Sequence, residues 1–190
     1  MAEMNKAERF FVNKLVGPFS ANSNYRILLQ ELKLKLKKKN KILEIGCGSG
    51  EMTKKLENKA KITAIDLDKK QIEEARNKIK NAEFKIADAT KLPFKNNSFD
   101  AAYSINVLHH IPPYEKVFKE IYRVLKKSGT LFLVDVRSWV FKSKIPRIIG
   151  DAYERTEPQS IIIKMLKDAG FKITKVSSHP FFMRLTCVKK

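Results

Sequence analysis

From residue 41 onward, short β-rich runs alternate with segments of helical periodicity. This alternation predicts a parallel sheet covered by helices on both faces. The predicted strands are KILEIG (41–46), KITAIDL (61–67), EFKIADA (83–89), FDAAYSINV (99–107) and TLFLVDV (130–136). The helices between them are predicted over 50–59, 69–80 and 114–126, with Gly129 as the stop signal of the third. A further helix in EPQSIIIKMLKDAGF (157–171) precedes two closing strands, KITKVSS (172–178) and MRLTCVK (183–189).

The chain length of 190 residues, with 43% hydrophobic residues, suits one well-buried core. We therefore predict a single domain over residues 1–190. Its predicted parts are N-terminal helices (3–16 and 22–38) within a lid segment 1–40, a core 41–137, a lid insertion 138–156, and a C-terminal helix with closing strands over 157–190.

Charge composition raises the question of a nucleic-acid partner, because the net charge is +19, from 39 basic and 20 acidic residues. Most of the basic residues are lysines scattered over nearly every predicted helix, whereas phosphate and base recognition favours arginine. The one dense run, KLKLKKKNK (33–41), suits the C-terminal end of a helix. A nucleic-acid partner is therefore considered but not favoured.

Targeting and redox signals are few. No run of about 18 apolar residues exists, and the first residues mix charges into the apolar positions. We expect a soluble cytoplasmic protein without a membrane span. Cys47 and Cys187 are isolated in sequence, so both should be reduced, and neither has metal-site spacing. The oligomeric state is left open.

A glycine-rich turn follows the first predicted strand, in LEIGCGSGEM. Gly46, Gly48 and Gly50 permit tight backbone turns and close approach to a ligand at the carboxyl edge of the sheet. A dinucleotide fingerprint would need glycine at position 51, which is Glu51 here. Glu44, two residues before the first glycine, suits a cationic, amine-bearing ligand better than a pyrophosphate. An NAD dehydrogenase is therefore the least favoured reading.

Acidic residues end the next two predicted strands. Asp66 lies where a carboxylate can accept hydrogen bonds from both ribose hydroxyls, and Asp88 lies one strand further along the same edge. Each acid alone could equally be a helix cap or a turn residue. Together with Glu44 they suit an adenosine with a positively charged tail: Glu44 towards the tail, Asp66 on the ribose and Asp88 near the adenine amino group.

The chain here resembles the class I S-adenosylmethionine-dependent methyltransferases, specifically the type 11 branch that includes ubiquinone/menaquinone C-methylases. The matching stretches are ILEIGCGSG, AIDLD, ADATKLPFKNNSFDAAYSINVLHHI and EIYRVLKKSGTLFLVD, over about residues 41–136. The resemblance implies a Rossmann-like, doubly wound seven-stranded sheet, mostly parallel, with an antiparallel last strand. It also implies S-adenosylmethionine as cofactor and S-adenosylhomocysteine as product. The stretch KKSG, where the family usually has two glycines, departs from the pattern away from the cofactor.

The resemblance also assigns roles to single residues. It implies Gly46 and Gly48 against the methionine part, Asp66 on the ribose, and Asp88 with the Ala89 amide on the adenine. With the neighbours of these positions, the predicted cofactor residues are Glu44, Gly46, Cys47, Gly48, Gly50, Asp66, Leu67, Asp88, Ala89, Asn106 and His109.

The stretch NVLHHIPPYEKV (106–117) ends the fourth predicted strand. Nucleic-acid amino-methylases carry Pro-Pro-aromatic directly at this strand end, whereas PPY is displaced here behind HHI. We expect Pro112 and Pro113 to fix the first turn of the following helix instead. Neither cysteine is placed to serve an RNA C5-cytosine methylase. Residues 104–106 offer no carboxylate cluster for Mg²⁺, so no metal is predicted.

The two histidines of this stretch, His109 and His110, lack a third metal ligand. The remaining options are a base or a packed hydrogen-bonding group. The pair is usual in the resembling family across unrelated substrates, which favours a structural or cofactor-lining role over proton transfer. We hypothesise that Asn106 and His109 line the cofactor pocket. His109 and His110 are retained as weak catalytic candidates.

The predicted reaction is methyl transfer to a small-molecule acceptor by in-line displacement. A sulfonium methyl is already activated, so positioning can suffice, and orientation alone supplies roughly 7–11 kcal/mol. The main alternative keeps the cofactor but methylates RNA or another macromolecule bound by the basic surface. A binding protein that retains the fold without catalysis is a third class. No motif among residues 138–190 identifies the acceptor.

A cover over the cofactor must come from segments outside the strand–helix alternation. The stretches GPFSANSNYR (17–26) and SWVFKSKIPRIIGDAYER (138–155) are the two available. The predicted acceptor-pocket residues are Phe19, Tyr25, Arg137, Trp139, Phe141 and Tyr153. The equal alternative is that Trp139 and Phe141 only pack the insertion onto the sheet.

Fluorescence tests the lid prediction, because Trp139 is the only tryptophan. If residues 138–155 close over the cofactor, S-adenosylmethionine should shift or quench tryptophan emission with a saturable dependence. Tight calorimetric binding with unchanged emission would remove Trp139 from the acceptor pocket.

Overall fold

A computed structural model describes residues 25–32, 37–137, 157–178 and 182–190. The predicted helix 3–16 and the predicted insertion 138–156 lie outside the described residues, as do Phe19, Trp139, Phe141 and Tyr153. Of the helix predicted over 22–38, residues 25–31 are helical and are called α1. No helix among the described residues is long and apolar enough to cross a membrane.

The described strands form one sheet of seven strands in the order β3-β2-β1-β4-β5-β7-β6. The first five of these strands are mutually parallel, and β7 is antiparallel to both β5 and β6. This confirms the predicted fold. The strands are β1 (Lys41–Ile45), β2 (Lys61–Asp66), β3 (Ala82–Ile86), β4 (Phe99–Ile105), β5 (Leu125–Val136), β6 (Phe171–Ser178) and β7 (Phe182–Lys189).

Local sequence signals account for some features of the helices after α1. Asp68 caps the N-terminus of α3 by accepting from the amides of Lys70 and Gln71. In α4, Val117, Ile121 and Val124 follow helical spacing and are fully buried. The bounds are α2 (Glu51–Leu56), α3 (Lys69–Lys78), a 3₁₀ turn (Leu108–His110), α4 (Tyr114–Val124) and α5 (Gln159–Asp168).

Two apolar clusters cover the two faces of the sheet. One contains Leu28 of α1, Leu56 of α2 and Ile72 of α3. The other contains Phe118 of α4 and Leu166 of α5. Because both faces are covered, the central strands are apolar almost throughout, as the nearly continuous burial of β1 shows.

The order of the strands identifies the edge of the sheet where a ligand can bind. The chain runs outward from β1 to β3, then returns to pair β4 with the other side of β1. The helices after β1 and after β4 therefore pack on opposite faces of the sheet, which makes the carboxyl ends of these two strands its topological switch point. Open α/β sheets bind ligands at such a switch point.

The predicted helix stop at Gly129 is wrong. Helix α4 ends at Val124, and β5 already begins at Leu125, which pairs with Phe99. The pairing then jumps to Ala101 opposite Thr130, so the intervening residues of β5 form an irregular segment. Pairing with β4 thus ends the helix earlier than its own sequence would.

The two prolines lie just before helix α4 and not in its first turn, where they were predicted. Pro113 occupies the cap position and α4 begins at Tyr114, so Pro112 and Pro113 precede the first turn. The Pro113 carbonyl accepts from the Lys116 amide at 3.2 Å. Because both prolines precede the helix, their missing N–H groups cost the helix no hydrogen bond.

Substitutions in the irregular segment of β5 should act in opposite directions. In Gly129→Ala the new Cβ would lie 2.7 Å from the Lys126 carbonyl oxygen, so we expect a loss of about 1–3 kcal/mol in the free energy of unfolding. Ser128 has φ +59°, so Ser128→Gly should be neutral or stabilising by up to about 1 kcal/mol. Urea denaturation measures both. A neutral Gly129→Ala would show that this glycine is not required by packing.

Candidate cofactor site

The loop after β1 is bound to the end of β2. The amides of Gly46 and Cys47 both donate to the Ile65 carbonyl, at 2.8 and 3.0 Å. The Gly48 amide donates to Asp66 Oδ2 at 2.8 Å. The predicted glycine turn and the predicted ribose-binding acid therefore lie side by side at one edge of the sheet.

Close packing explains two of the glycines. Gly46 has φ +71°, and a Cβ at this position would lie 2.2 Å from Val107 Cγ1, directly after β4. Gly50 has φ +86° and packs against Ile79 and Ala75 of the α3 region. Gly46 therefore brings the β1 and β4 connections together, whereas Gly50 lets α2 approach α3.

Asp66 keeps hydrogen-bonding capacity for a ligand. Its Oδ2 accepts from Gly48, and its Oδ1 accepts from the Asp68 amide at 3.0 Å. Each carboxylate oxygen can accept two hydrogen bonds, so capacity remains for two hydroxyl donors. Leu67 follows with 39% of its surface exposed, an apolar surface next to the acid.

Glu44 lies beneath the loop and not at its surface, with an exposure of 3%. The Thr53 hydroxyl of α2 donates to its carboxylate. Burial raises the pKa of Glu44 to about 7, against the lowering effect of Thr53 and then of the Tyr103 hydroxyl. The Tyr103 hydroxyl lies near this carboxylate but without hydrogen-bond geometry, so Thr53 is the firmer partner. A contact of Glu44 with the cofactor stays a prediction of the sequence.

Asp88 is exposed directly after β3 and shapes a turn. Its Oδ1 accepts from the Thr90 amide at 2.8 Å, and its carbonyl accepts from the Lys91 amide at 3.1 Å. Asp88 therefore has the turn role that the sequence left open as an alternative to ligand binding. Oδ2 is the remaining acceptor for an adenine amino group. Ala89 is buried behind it with an exposure of 3%.

An ion pair on α4 holds the loop that follows Asp88. Arg123 Nη1 and Nη2 donate to the carbonyls of Phe94 and Leu92 at 2.7 and 2.9 Å. Glu120 accepts from the Leu92 amide and pairs with Arg123 Nε, both at 2.7 Å. These contacts fix the course of the chain from β3 to β4.

The end of β4 combines backbone strain with a buried acceptor. Asn106 has φ +57°, and its amide donates to the Val134 carbonyl at 2.8 Å. Its Oδ1 is buried and has no hydrogen-bond partner among the described residues. A ligand with N–H donors would satisfy this oxygen, and Val107 places it next to Gly46.

His109 lies in the 3₁₀ turn and is bound to the end of β5. Its Nδ1 is 2.5 Å from Asp135 Oδ1, and its amide donates to Asp135 Oδ2 at 3.2 Å. Exposure is 8% for His109 and 1% for Asp135. The His110 ring lies 4.0 Å from the His109 ring, centroid to centroid.

The other predicted residues vary in their placement. Burial raises the pKa of the Cys47 thiol well above its usual range, so this side chain is no nucleophile. The Tyr25 hydroxyl donates to the Lys55 carbonyl at 3.3 Å, which uses it to pack α1 on α2 and gives no support to an acceptor-pocket role. Arg137 is half-buried just after β5.

Sequence reasoning missed Thr53, Tyr103 and Asp135. Asp135 carried a usable signal, because it is the one acid inside the apolar stretch TLFLVDV. An acid inside a strand that is buried on both faces requires donors around it. Thr53 and Tyr103 carried no comparable signal, since each belongs to an ordinary helix or strand pattern.

These residues fit S-adenosylmethionine. Asp66 retains acceptor capacity for the ribose, Leu67 offers an exposed apolar surface for the adenine, and Asn106 Oδ1 is a buried acceptor that lacks a donor. When bound, the cofactor supplies an activated methyl group on a sulfonium. Among the described residues, no group of three or more His, Cys, Asp or Glu side chains could hold a metal ion.

Comparison with known proteins matches the chain to methyltransferases. A family model described as a methyltransferase domain matches residues 43–133. The demethylmenaquinone methyltransferase of Thermotoga maritima is 27% identical over 93% of this chain and 87% of its own length. The 24-methylenesterol C-methyltransferase 2 of Arabidopsis thaliana is 32% identical over 75% of this chain, which spans 44% of that protein.

Solved structures of other proteins share this fold. A structure described as a putative sarcosine dimethylglycine methyltransferase from Galdieria sulphuraria superposes with a TM-score of 0.82, at 15% identity, over 98% of this chain and 99% of that chain. The fold and the edge residues thus define a class I S-adenosylmethionine-dependent methyltransferase. Within that class, the chain is similar to the methyltransferase family whose model matches residues 43–133.

Glu44 should make stability depend on pH. Its pKa is 4.5 as the reference value and about 7 in the fold, so between these values the folded state holds a proton that the unfolded chain releases. The free energy of unfolding therefore falls as pH rises through this window. Glu44→Gln should remove the fall, a relative gain of about 3 kcal/mol above the window. Urea titrations across the window measure it, and equal slopes would contradict it.

Glu120→Gln is the control of opposite sign. The hydrogen bond from Arg123 lowers the pKa of Glu120, so its stabilisation is present above the reference value of 4.5 and is lost as pH falls. This variant should therefore lose stability relative to the parent protein at neutral pH and approach it in acid.

Proposed function

We propose that this methyltransferase acts on a small-molecule acceptor by in-line displacement at the sulfonium methyl. The observation that carries the proposal is the joint placement of the Gly46–Gly48 turn, Asp66 and Asn106 at the switch point between β1 and β4. Such a site holds the donor at one fixed place on the edge. Orientation of the acceptor against it can then supply roughly 7–11 kcal/mol of the barrier.

The acceptor is proposed to be small because the matched relatives are named for small molecules, demethylmenaquinone in one case and a methylenesterol in the other. These two acceptors differ, so the likeness supports a class of acceptor and not one compound. RNA is not favoured. A location in the cytoplasm and a lid formed by residues 1–40 and 138–156 remain predictions of the sequence.

The carboxyl ends of β4 and β5 are the proposed acceptor side of the edge. The cofactor residues occupy the ends of β1, β2 and β3, and Asn106 lies at the boundary. Arg137 follows β5 on the acceptor side and remains a pocket candidate. In this arrangement the chain positions the two reactants against each other.

Cofactor binding should depend on Asp66. Asp66→Asn should weaken the binding of S-adenosylhomocysteine about 10- to 100-fold, because the hydroxyl donors of a ribose lose a charged acceptor. Asp100→Asn is the matched control, since Asp100 binds Lys126 at the opposite edge of the sheet at 2.8 Å. Isothermal titration calorimetry measures both. Equal affinity of Asp66→Asn and the parent protein would remove Asp66 from the site.

The acceptor class is tested with methyl-labelled S-adenosylmethionine in a cell extract that contains metabolites and RNA. We expect the label in the small-molecule fraction, identified by mass spectrometry. Label in the RNA fraction with a steep dependence on salt would contradict the proposal and support the macromolecular alternative.

A further inference from the structure

An open apolar groove lies between α5 and β6, the edge strand of the sheet. The groove is called the β6 groove below and has a volume of about 880 Å³. Its apolar lining consists of Tyr122 from α4, Ile163 from α5, and Phe171, Ile173 and Val176 from β6. Strand β6 is the strand most distant from β1, so the groove is separate from the proposed cofactor residues.

An irregularity in β6 adds an apolar residue to this surface. The register with β7 shifts between Ile173 and Lys175, so Ile173 lies opposite Cys187 and Val176 lies opposite Leu185. Both partners belong to the apolar cluster under α4 and α5, so Ile173 and Val176 share that face although they are three positions apart. In a regular strand they would face opposite sides. Val176 nevertheless keeps 47% of its surface exposed, so the described fold does not bury the residue that the irregularity supplies.

Helix α5 covers this part of the sheet on one side only. Ile162 and Leu166 are buried against the sheet, whereas Ile163 is half-buried and lines the groove. Helices that cover a sheet pack side by side, with their axes about 8–10 Å apart. Among the described residues, only α4 and α5 supply helical residues to the lining of the groove. The open side of the groove therefore has the place of a further helix beside α5.

Three lysines border the groove, and all three are exposed: Lys167 of α5, Lys172 of β6, and Lys190. None of them forms an ion pair with an acid of the described part of the chain, whereas the neighbouring Lys164 pairs with Asp168 at 2.7 Å. The described residues that line the groove include no acid. The β6 groove thus combines an apolar lining with a positive rim.

Charge restricts what can occupy the groove. A second copy of the chain carries the same net charge of +19. The two longest segments outside the described residues are also net basic, with three basic against two acidic residues in 1–24 and four against two in 138–156. Each of these occupants would bring further positive charge to a positive rim, which like-charge repulsion opposes. The rim therefore favours an anionic partner.

Shape and side-chain type decide among anionic partners. A bilayer surface is flat, and apolar side chains that line a groove are poorly placed to enter it. RNA is recognised through arginine and through exposed aromatic rings on which bases stack, whereas this groove has lysines and mainly aliphatic side chains. An amphipathic helix has a narrow apolar face flanked by polar residues, which matches an apolar groove with a charged rim.

We propose that the β6 groove binds an acidic amphipathic helix of a partner protein. The apolar face of that helix packs beside α5 on Ile163, Ile173 and Val176, and its flanking carboxylates lie next to Lys167 and Lys172. Each exposed ion pair contributes little alone, so the apolar contact and the charges act together, and added salt weakens the complex. The interaction depends neither on methyl transfer nor on the class of acceptor.

Two synthetic peptides of about 18 residues, or about five helical turns, serve as probes of the full chain. In the first, leucine and alanine occupy one helical face and glutamate the other. The second has the same composition in a scrambled order, so it keeps the charge and lacks the apolar face. Fluorescence anisotropy of the labelled peptides should show at least about tenfold tighter binding of the first. Equal affinities, or no binding of either peptide, would overturn the proposal.

Charge reversal locates the binding surface. Lys167→Glu combined with Lys172→Glu should weaken binding of the amphipathic peptide about 10- to 100-fold, because carboxylates then face carboxylates. The matched control is Lys59→Glu combined with Lys61→Glu, which changes two other exposed lysines at the start of β2, with four strands between β2 and β6. The control should change the affinity less than about threefold. Equal losses for the two pairs would show attraction by net charge and contradict the proposal.

Val176→Thr tests the apolar contact with a side chain of similar shape. It should weaken binding about 3- to 10-fold, because less apolar surface is buried. Ile161→Thr is the matched control, since Ile161 is 40% exposed on α5 and does not line the groove. This control should bind the peptide as the parent protein does. If both variants lose affinity equally, the groove is not the binding surface.

Further measurements separate this surface from its rivals and from the proposed function. Thermal unfolding of each variant should match the parent protein, which shows that the fold is intact. Sedimentation with vesicles of equimolar phosphatidylcholine and phosphatidylglycerol tests the membrane. Vesicle binding that the Lys167 and Lys172 changes abolish, without preference for the amphipathic peptide, would assign the groove to a membrane surface and overturn the proposal. A parent protein that binds the peptide but no S-adenosylhomocysteine would contradict the methyltransferase function and leave this inference in place.

Discussion

The contact between Gly46 and Val107 is the constraint on which the rest of the site depends. A Cβ at position 46 would lie 2.2 Å from the Val107 side chain, so only glycine lets the connections after β1 and β4 meet. The same glycine has φ +71°, which turns the chain so that the Gly48 amide can reach Asp66. One steric requirement thus brings together the ends of three neighbouring strands, which carry the proposed cofactor residues on one side and Asn106 on the other.

Two buried carboxylates at this edge are stabilised in different ways. Glu44 receives a hydroxyl donor from Thr53, and burial outweighs that contact enough to raise its pKa to about 7. Asp135 instead receives three N–H donors within one strand end and one turn. The contacts of Asp135 therefore hold the His109 ring in one orientation, whereas Glu44 joins β1 to α2 through Thr53.

Sequence reasoning reached the edge residues because parallel strands bring their carboxyl ends to a common line, so positions that are distant in the chain can be aligned from strand ends alone. Asp66 and Gly48 are 18 residues apart and lie in contact as expected. It failed where partners override local preference. Leu125 has a helical pattern before it but pairs with Phe99. The contact of Tyr25 with Lys55 follows no spacing rule, and the acceptor-pocket role of Tyr25 stays a prediction.

Asn106 shows how strain and burial point to function together. A non-glycine residue at φ +57° costs stability, and a buried Oδ1 without a donor costs more. Asparagine tolerates the left-handed region better than most residues, so the backbone alone could explain its presence at this turn. The unpaired oxygen is not explained by the backbone. Aspartate or glycine would serve the turn as well, whereas a neutral acceptor beside Gly46 suits a ligand that brings its own N–H donors, as the proposed cofactor role of Asn106 requires.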